Sequence, residues 1–165
     1  MSLLGFCQWL QDTNGGTALR ESQFMFPIVE GAHVLGLAVS VGVIFMVDLR
    51  LIGVRMRSEA FSDIMTQLEP WSLAGFATMF ITGGLLFWSE AAKCYNSTAF
   101  RYKILFLAFT GINALIFKKT VFPKVALWDR DPSSIPVRAR MAGWCGIVLW
   151  SIVIAFGRWT AYGLK

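Results

Sequence analysis

His33 is the only histidine in a chain of 165 residues, and it stands three residues after Glu30. On a helix that spacing puts imidazole and carboxylate on one face, one turn apart. Neutral imidazole can ligate haem iron or copper and can relay protons, so His33 is the first residue to ask about. Glu-x-x-His also occurs in the di-metal centres of helical bundles, but such a centre needs a second copy and further carboxylates, which this chain lacks. A single metal or haem at His33 is the remaining ligand chemistry, with Met79, Lys103 or the His33 of a second copy as the opposite axial ligand. Glu90, Lys103, Asn113 and Arg158 complete the set of polar residues inside or beside long apolar runs.

Those runs fix what positions the chemistry. The chain is 56% hydrophobic and only 15% charged. One core cannot bury so large an apolar share in a chain of this length, and the surplus must face lipid. A hydrocarbon layer of about 30 Å takes about 20 helical residues. Four stretches satisfy this, at about 24–47, 71–88, 100–117 and 141–162. Residues 3–10, with Leu3, Leu4, Phe6, Trp9 and Leu10, read as a short amphipathic helix at the interface. Asp12-Thr13-Asn14-Gly15-Gly16 reads as the turn that ends it. The expectation is an all-α polytopic membrane protein, a four-transmembrane-helix bundle with a short N-terminal interfacial helix, forming one domain over residues 1–165.

The formal charge of +5 does not point to nucleic acid, because the basic residues lie between the apolar runs, where they set orientation. Arg50, Arg55, Arg57, Lys118, Lys119, Lys124, Arg130, Arg138 and Arg140 fall on one side. Arg20, Lys93, Arg101, Lys103, Arg158 and Lys165 fall on the other. This excess puts loops 48–70 and 118–140 in the cytoplasm and both termini in the periplasm of a bacterial inner membrane.

Helical wheels give each span one polar stripe. These are Glu30, His33, Ser40 and Asp48; Gly75, Thr78, Thr82 and Ser89; Lys103, Thr110 and Asn113; and Ser151, Arg158 and Tyr162. An ionisable group facing lipid costs about 2.5–3.5 kcal/mol, so all four stripes are expected to turn inward. Glu30 is then expected to be neutralised by Arg158 or Lys103. The three cysteines form no Cys-x-x-Cys motif. Cys7 and Cys94 fall on the outer side, where a disulfide survives, and Cys145 is expected to pack inside the fourth span. No Walker A loop, Gly-x-Ser-x-Gly elbow or His-Glu-x-x-His motif is present, which argues against an enzyme of those classes.

The run Pro27-Ile28-Val29-Glu30-Gly31-Ala32-His33-Val34-Leu35-Gly36, with Val47-Asp48-Leu49-Arg50 and the closing Gly157-Arg158-Trp159-Thr160-Ala161-Tyr162, resembles small bacterial four-helix membrane proteins of an uncharacterised family. Through them the chain is distantly similar to copper-resistance D and HemJ-type membrane proteins. In those, a histidine sits in a first-helix His-Val-(Ile/Leu)-Gly stretch and a lysine opens a later helix. The resemblance matches His33 to that histidine and Lys103 to that lysine, and implies haem b near the pair. Three functions follow as expectations. One is haem-linked electron transfer through His33. Another is a non-catalytic subunit of a larger membrane complex or a homo-oligomer. The third is a carrier of a small solute or ion using Glu30, His33 and Arg158.

Overall fold

A computed structural model describes residues 2–56 and 58–162; Arg57 and Lys165 of the charge count lie outside them. The chain runs through α1 (Leu3–Gln11), α2 (Asn14–Glu21), α3 (Met25–Ile52), α4 (Phe61–Ser89), α5 (Ala91–Asn96), α6 (Thr98–Thr120) and α7 (Val137–Tyr162). Two 3-10 turns, Phe122–Leu127 and Pro132–Ser134, link α6 to α7. The four longest helices are each long and apolar enough to cross a membrane. The protein is an all-α integral membrane bundle.

All four long helices extend past the expected spans at the basic end, so the loops there shrink to 53–60 and 121–136. α4 begins ten residues before Trp71, about 15 Å of additional helix. The cause is a second hydrophobic core outside the lipid-crossing section. Leu51, Phe61, Val121, Val125, Trp128, Ile135 and Ala139 are buried together there. Phe61 is fully buried, with the Trp128 ring 5.2 Å and the Phe117 ring 6.0 Å from its own.

Within the bundle, α4 packs on α3, α3 on α7 and α7 on α6, while no extensive seam joins α4 to α6. Lipid tails are as apolar as leucine, so helices associate in a membrane through close contact rather than exclusion of water. Glycines provide that contact on both sides of α3. A Cβ on Gly75 would lie 2.8 Å from the Ser40 amide nitrogen and 2.9 Å from the Gly36 carbonyl oxygen. On the other side, a Cβ on Gly143 would lie 2.9 Å from the Asp48 carbonyl oxygen, and one on Gly146 would overlap the Asp48 carboxylate. Between these crossings Val41, Trp150 and Val153 form the buried apolar centre.

The Asn-Gly-Gly segment is not the expected turn. It forms the first turn of α2, capped by the Thr13 hydroxyl, which accepts from the Gly16 amide at 3.4 Å. Gly15 stays small because Trp88 lies against it, 2.5 Å from where a Cβ would be. α1 carries its exposed face through Leu3, Phe6 and Trp9, and turns Cys7 inward. Cys145 corrects another expectation: it lies exposed on the outer surface of α7.

Because the atoms facing Gly75 are backbone, they cannot rotate away. Gly75→Val should lower the melting temperature in detergent, with overpacking costing about 1–3 kcal/mol. Gly84→Ala, on the same helix with nothing within 4 Å of its Cβ position, should leave melting unchanged. Equal behaviour of the two variants would contradict the crossing.

Candidate functional site

The outer half of the bundle gathers the reactive groups. His33 is half-buried on α3 and meets the buried Thr82 of α4, with Nδ1 and Oγ1 3.0 Å apart. Thr82 has one hydroxyl hydrogen, which it donates to the Thr78 carbonyl one turn back. In the tautomer protonated at Nδ1, the Thr82 oxygen accepts from His33 while its hydrogen serves the Thr78 carbonyl, and Nε2 carries the lone pair. Gly83 keeps the ring close to α4, since a Cβ there would lie 3.2 Å from His33 Cε1. A histidine held through one nitrogen with the other unprotonated is how proteins prepare an axial or metal ligand.

Lys103 opens α6 from its second turn and is half-buried against α7, its Nζ 3.8 Å from the Cβ position of Gly157. His33 is within electrostatic reach of both Lys103 and Glu30. Lys103 is in turn within reach of Cys94 on α5. One amine, one imidazole, one carboxylate and a thiol thus share the outer end. Among the described residues, no group of three or more metal-ligating side chains gathers. A site built on one or two protein ligands is the kind that remains.

Other expected members are elsewhere. Met79 turns its sulfur to Ser40, whose hydroxyl lies 3.1 Å from it and also donates to the Gly36 carbonyl. Asn113 sits ten residues along α6 from Lys103, about 15 Å deeper, and donates to the Ala142 carbonyl at 3.0 Å. The expected pairing of Glu30 with Arg158 or Lys103 is not formed. The ion pair found among the described residues joins Glu90 to Lys93 at 3.0 Å. Arg158 is exposed, donating to the Tyr162 hydroxyl at 2.8 Å with its guanidinium over that ring. The α7 stripe therefore faces outward. Ser151 can afford this by donating to the Ile147 carbonyl of its own helix, and Arg158 by lying in the final turn, where a long side chain reaches the headgroups.

Sequence reasoning missed the polar centre at the opposite end. Arg50 is fully buried, yet no carboxylate holds it. Its Nε and Nη2 donate to the Glu59 carbonyl at 3.1 and 3.0 Å, and Nη2 also donates to the Asp129 carbonyl at 3.0 Å. Asp129 accepts from the Ser62 amide at 2.8 Å and hydroxyl at 2.7 Å, capping the start of α4. One guanidinium and one carboxylate thus tie both basic-end loops together. Asp48-Leu49-Arg50 marked the place, but acceptors 9 and 79 residues away leave no local sequence signal.

Burial alone would raise the Asp129 pKa, but the Ser62 hydrogen bonds and the Arg130 charge outweigh it and hold it below the ordinary 3.8. Its contribution to stability is therefore complete above the unfolded value and disappears as pH falls through the lower folded one. Thermal melts of wild type and Asp129→Asn should differ at pH 7 and converge on acidification below pH 3.8. A gap that stays constant with pH would show that the carboxylate charge does not hold the loops.

No curated protein and no solved structure matches the chain. A family model described as a family of unknown function (DUF6644) matches residues 6–163. That match takes in all four long helices, both ends of the bundle and the residues around His33, and the chain belongs to this family.

Proposed function

We propose that this membrane protein binds haem b in the outer half of its bundle, with His33 as one axial ligand and Lys103 as the other, and serves electron transfer. The observation that carries this reading is the 3.0 Å contact of His33 Nδ1 with the Thr82 hydroxyl, which anchors the ring through one nitrogen; in the Nδ1-protonated tautomer Nε2 keeps the lone pair a ligand needs. The Lys103 amine suits the second ligand position better than Met79, whose sulfur is packed 3.1 Å from the Ser40 hydroxyl. A distant kinship with HemJ-type and copper-resistance D proteins, proposed from the residues around His33 and Lys103, would assign the same pair. Bound haem would supply one-electron chemistry. The chain's own contribution is the Thr82 anchor, which orients the imidazole, and the apolar surroundings that keep water from it.

Protein purified in detergent from haem-replete cells should show a Soret band that is absent in His33→Ala. Thr82→Val should retain the fold and bind haem about 10- to 100-fold more weakly, because the ring loses its anchor. Lys103→Met should shift the band. Colourless wild-type protein would overturn the proposal.

A second reading, carriage of a small solute or ion, draws on Glu30, which is half-buried and has no ion-pair partner among the described residues. The apolar, exposed outer faces of α4 and α6, with Phe80, Ile81, Ile112 and Leu115, would suit a second copy or another membrane subunit.

We also propose that the basic end faces the cytoplasm of a bacterial inner membrane. Arg55, Lys118, Lys119, Lys124, Arg130, Arg138 and Arg140 cluster around the two short loops at that end. A C-terminal alkaline phosphatase fusion should then be active and a green fluorescent protein fusion dark. The reverse pattern would invert the topology.

A further inference from the structure

α1 lies along α5 at the outer end, and polar contacts fix its register. Gln11 Oε1 accepts from the Ala92 amide at 3.0 Å. The Trp88 indole donates to the Leu10 carbonyl at 3.1 Å and to the Thr13 hydroxyl at 2.8 Å. Cys7 stands one helical turn before Gln11, and Cys94 about half a turn beyond Ala92. Both are buried, at 7% and 8% exposure, while Leu3, Phe6 and Trp9 on the far side of α1 face out. The two thiols are within electrostatic reach of each other. Cys145, the third cysteine, lies exposed on α7 inside the apolar span and is remote from this seam.

From this juxtaposition we propose that Cys7 and Cys94 are a redox pair, oxidised to one disulfide that staples the N-terminal helix to α5 beside Lys103. The co-reactant is a disulfide, small or protein-borne. One cysteine thiolate attacks it, forming a mixed disulfide and releasing one thiol. The second cysteine thiolate then attacks the mixed disulfide, forming the Cys7–Cys94 bond and releasing the second thiol. The two cysteines lose two electrons and two protons, and the donor disulfide becomes two thiols.

Burial, reinforced by the Glu90 charge, pushes the Cys94 thiol up to about 11. In the closed, reduced protein little thiolate is present at neutral pH, so exchange occurs while α1 is lifted from α5, and closure then protects the product. Native formation rests on the outer end facing the periplasm, as proposed above, because a disulfide persists there and not in the cytosol.

The test uses full-length Cys145→Ser protein in its own membranes. Cells are quenched with acid, free thiols are alkylated under denaturing conditions, and labels are counted by mass spectrometry before and after reduction. The proposal expects no label before reduction, two after it, and a peptide containing Cys7 linked to one containing Cys94. Cys7→Ser and Cys94→Ser, each in that background, should carry one free thiol and no link. A parallel sample of isolated membranes is treated with diamide. Two free thiols in cells and after diamide would overturn the pairing itself. Two free thiols in cells but a link after diamide would overturn the native disulfide and the topology while leaving the seam intact. Links found only between separate molecules would also overturn the proposal.

Discussion

Hydrocarbon offers polar groups no partner, so each one on a crossing helix must find its own, and this constraint organises the molecule around α3. That helix carries Glu30, His33, Asp48 and Arg50 as well as the buried Ser40, so polar side chains stand along its whole length. It could not face lipid along one side without exposing them. Glycine contacts let it lie between two partners instead. The Gly36–Gly75 crossing brings α4 near enough for Thr82 to meet His33 and for Met79 to meet Ser40. The Gly143 and Gly146 crossing brings α7 against Asp48. Close approach therefore brings partners to His33 and Ser40, while at Asp48 it encloses a carboxylate whose Oδ2 stays unpartnered. A bulky residue at either crossing would separate the helices and orphan the polar groups between them.

The basic end meets the same constraint differently. A buried guanidinium normally asks for a carboxylate, yet Arg50 receives two backbone carbonyls, from Glu59 and Asp129. Loop carbonyls exposed by a tight turn need donors as much as Arg50 needs acceptors, and charge-assisted bonds of this kind contribute about 1.5–3 kcal/mol each. The bonds also explain why helix continues beyond the lipid-crossing residues. α3 carries Arg50 down to the loops, and Phe61 starts α4 inside the core that those loops close. Asp129 links both halves, because its carbonyl accepts from Arg50 and the Phe61 amide while its carboxylate caps α4.

How much of this could be read in the residues depends on how local each cause is. The four crossings follow from apolar run length, since a water-free layer leaves helices as the only backbone state. The inward stripe of α4 was legible for the same reason: Gly75, Thr78 and Thr82 recur at helical spacing, and all lie on the α3 side. α7 defied the rule, because a wheel cannot tell a side chain at mid-membrane from Arg158 one turn from the end. Asn-Gly-Gly read as a turn because its intrinsic preferences are those of a turn. The Thr13 cap and the flat Trp88 ring, 73 residues from Gly15, override them. The Arg50 centre was invisible because its acceptors are carbonyls, which every residue carries.

The division of polar groups along α3 has a functional consequence. Asp48 is wedged against glycines of α7 with its Oδ2 unpartnered, and Arg50 is enclosed by loops with its Nη1 unpartnered, so both are held by enclosure at the basic end. At the outer end the satisfaction is incomplete by chemistry rather than by accident. Thr82 has one hydrogen, and with that hydrogen on the Thr78 carbonyl the imidazole donates through Nδ1. Replacing that hydroxyl with a carboxylate would also favour Nδ1–H but would pull the ring toward the charged form. A neutral threonine orients the ring without adding charge, and it leaves Nε2 as a lone pair on a half-buried side chain in the apolar half of the bundle. Lys103, on α6, is within electrostatic reach of the ring from across the bundle. α4 and α6 meet at this end through the stacked Phe87 and Phe100 rings, 5.8 Å apart, so the groups gathered there are held by side-chain contacts rather than by the backbone-level crossings that flank α3.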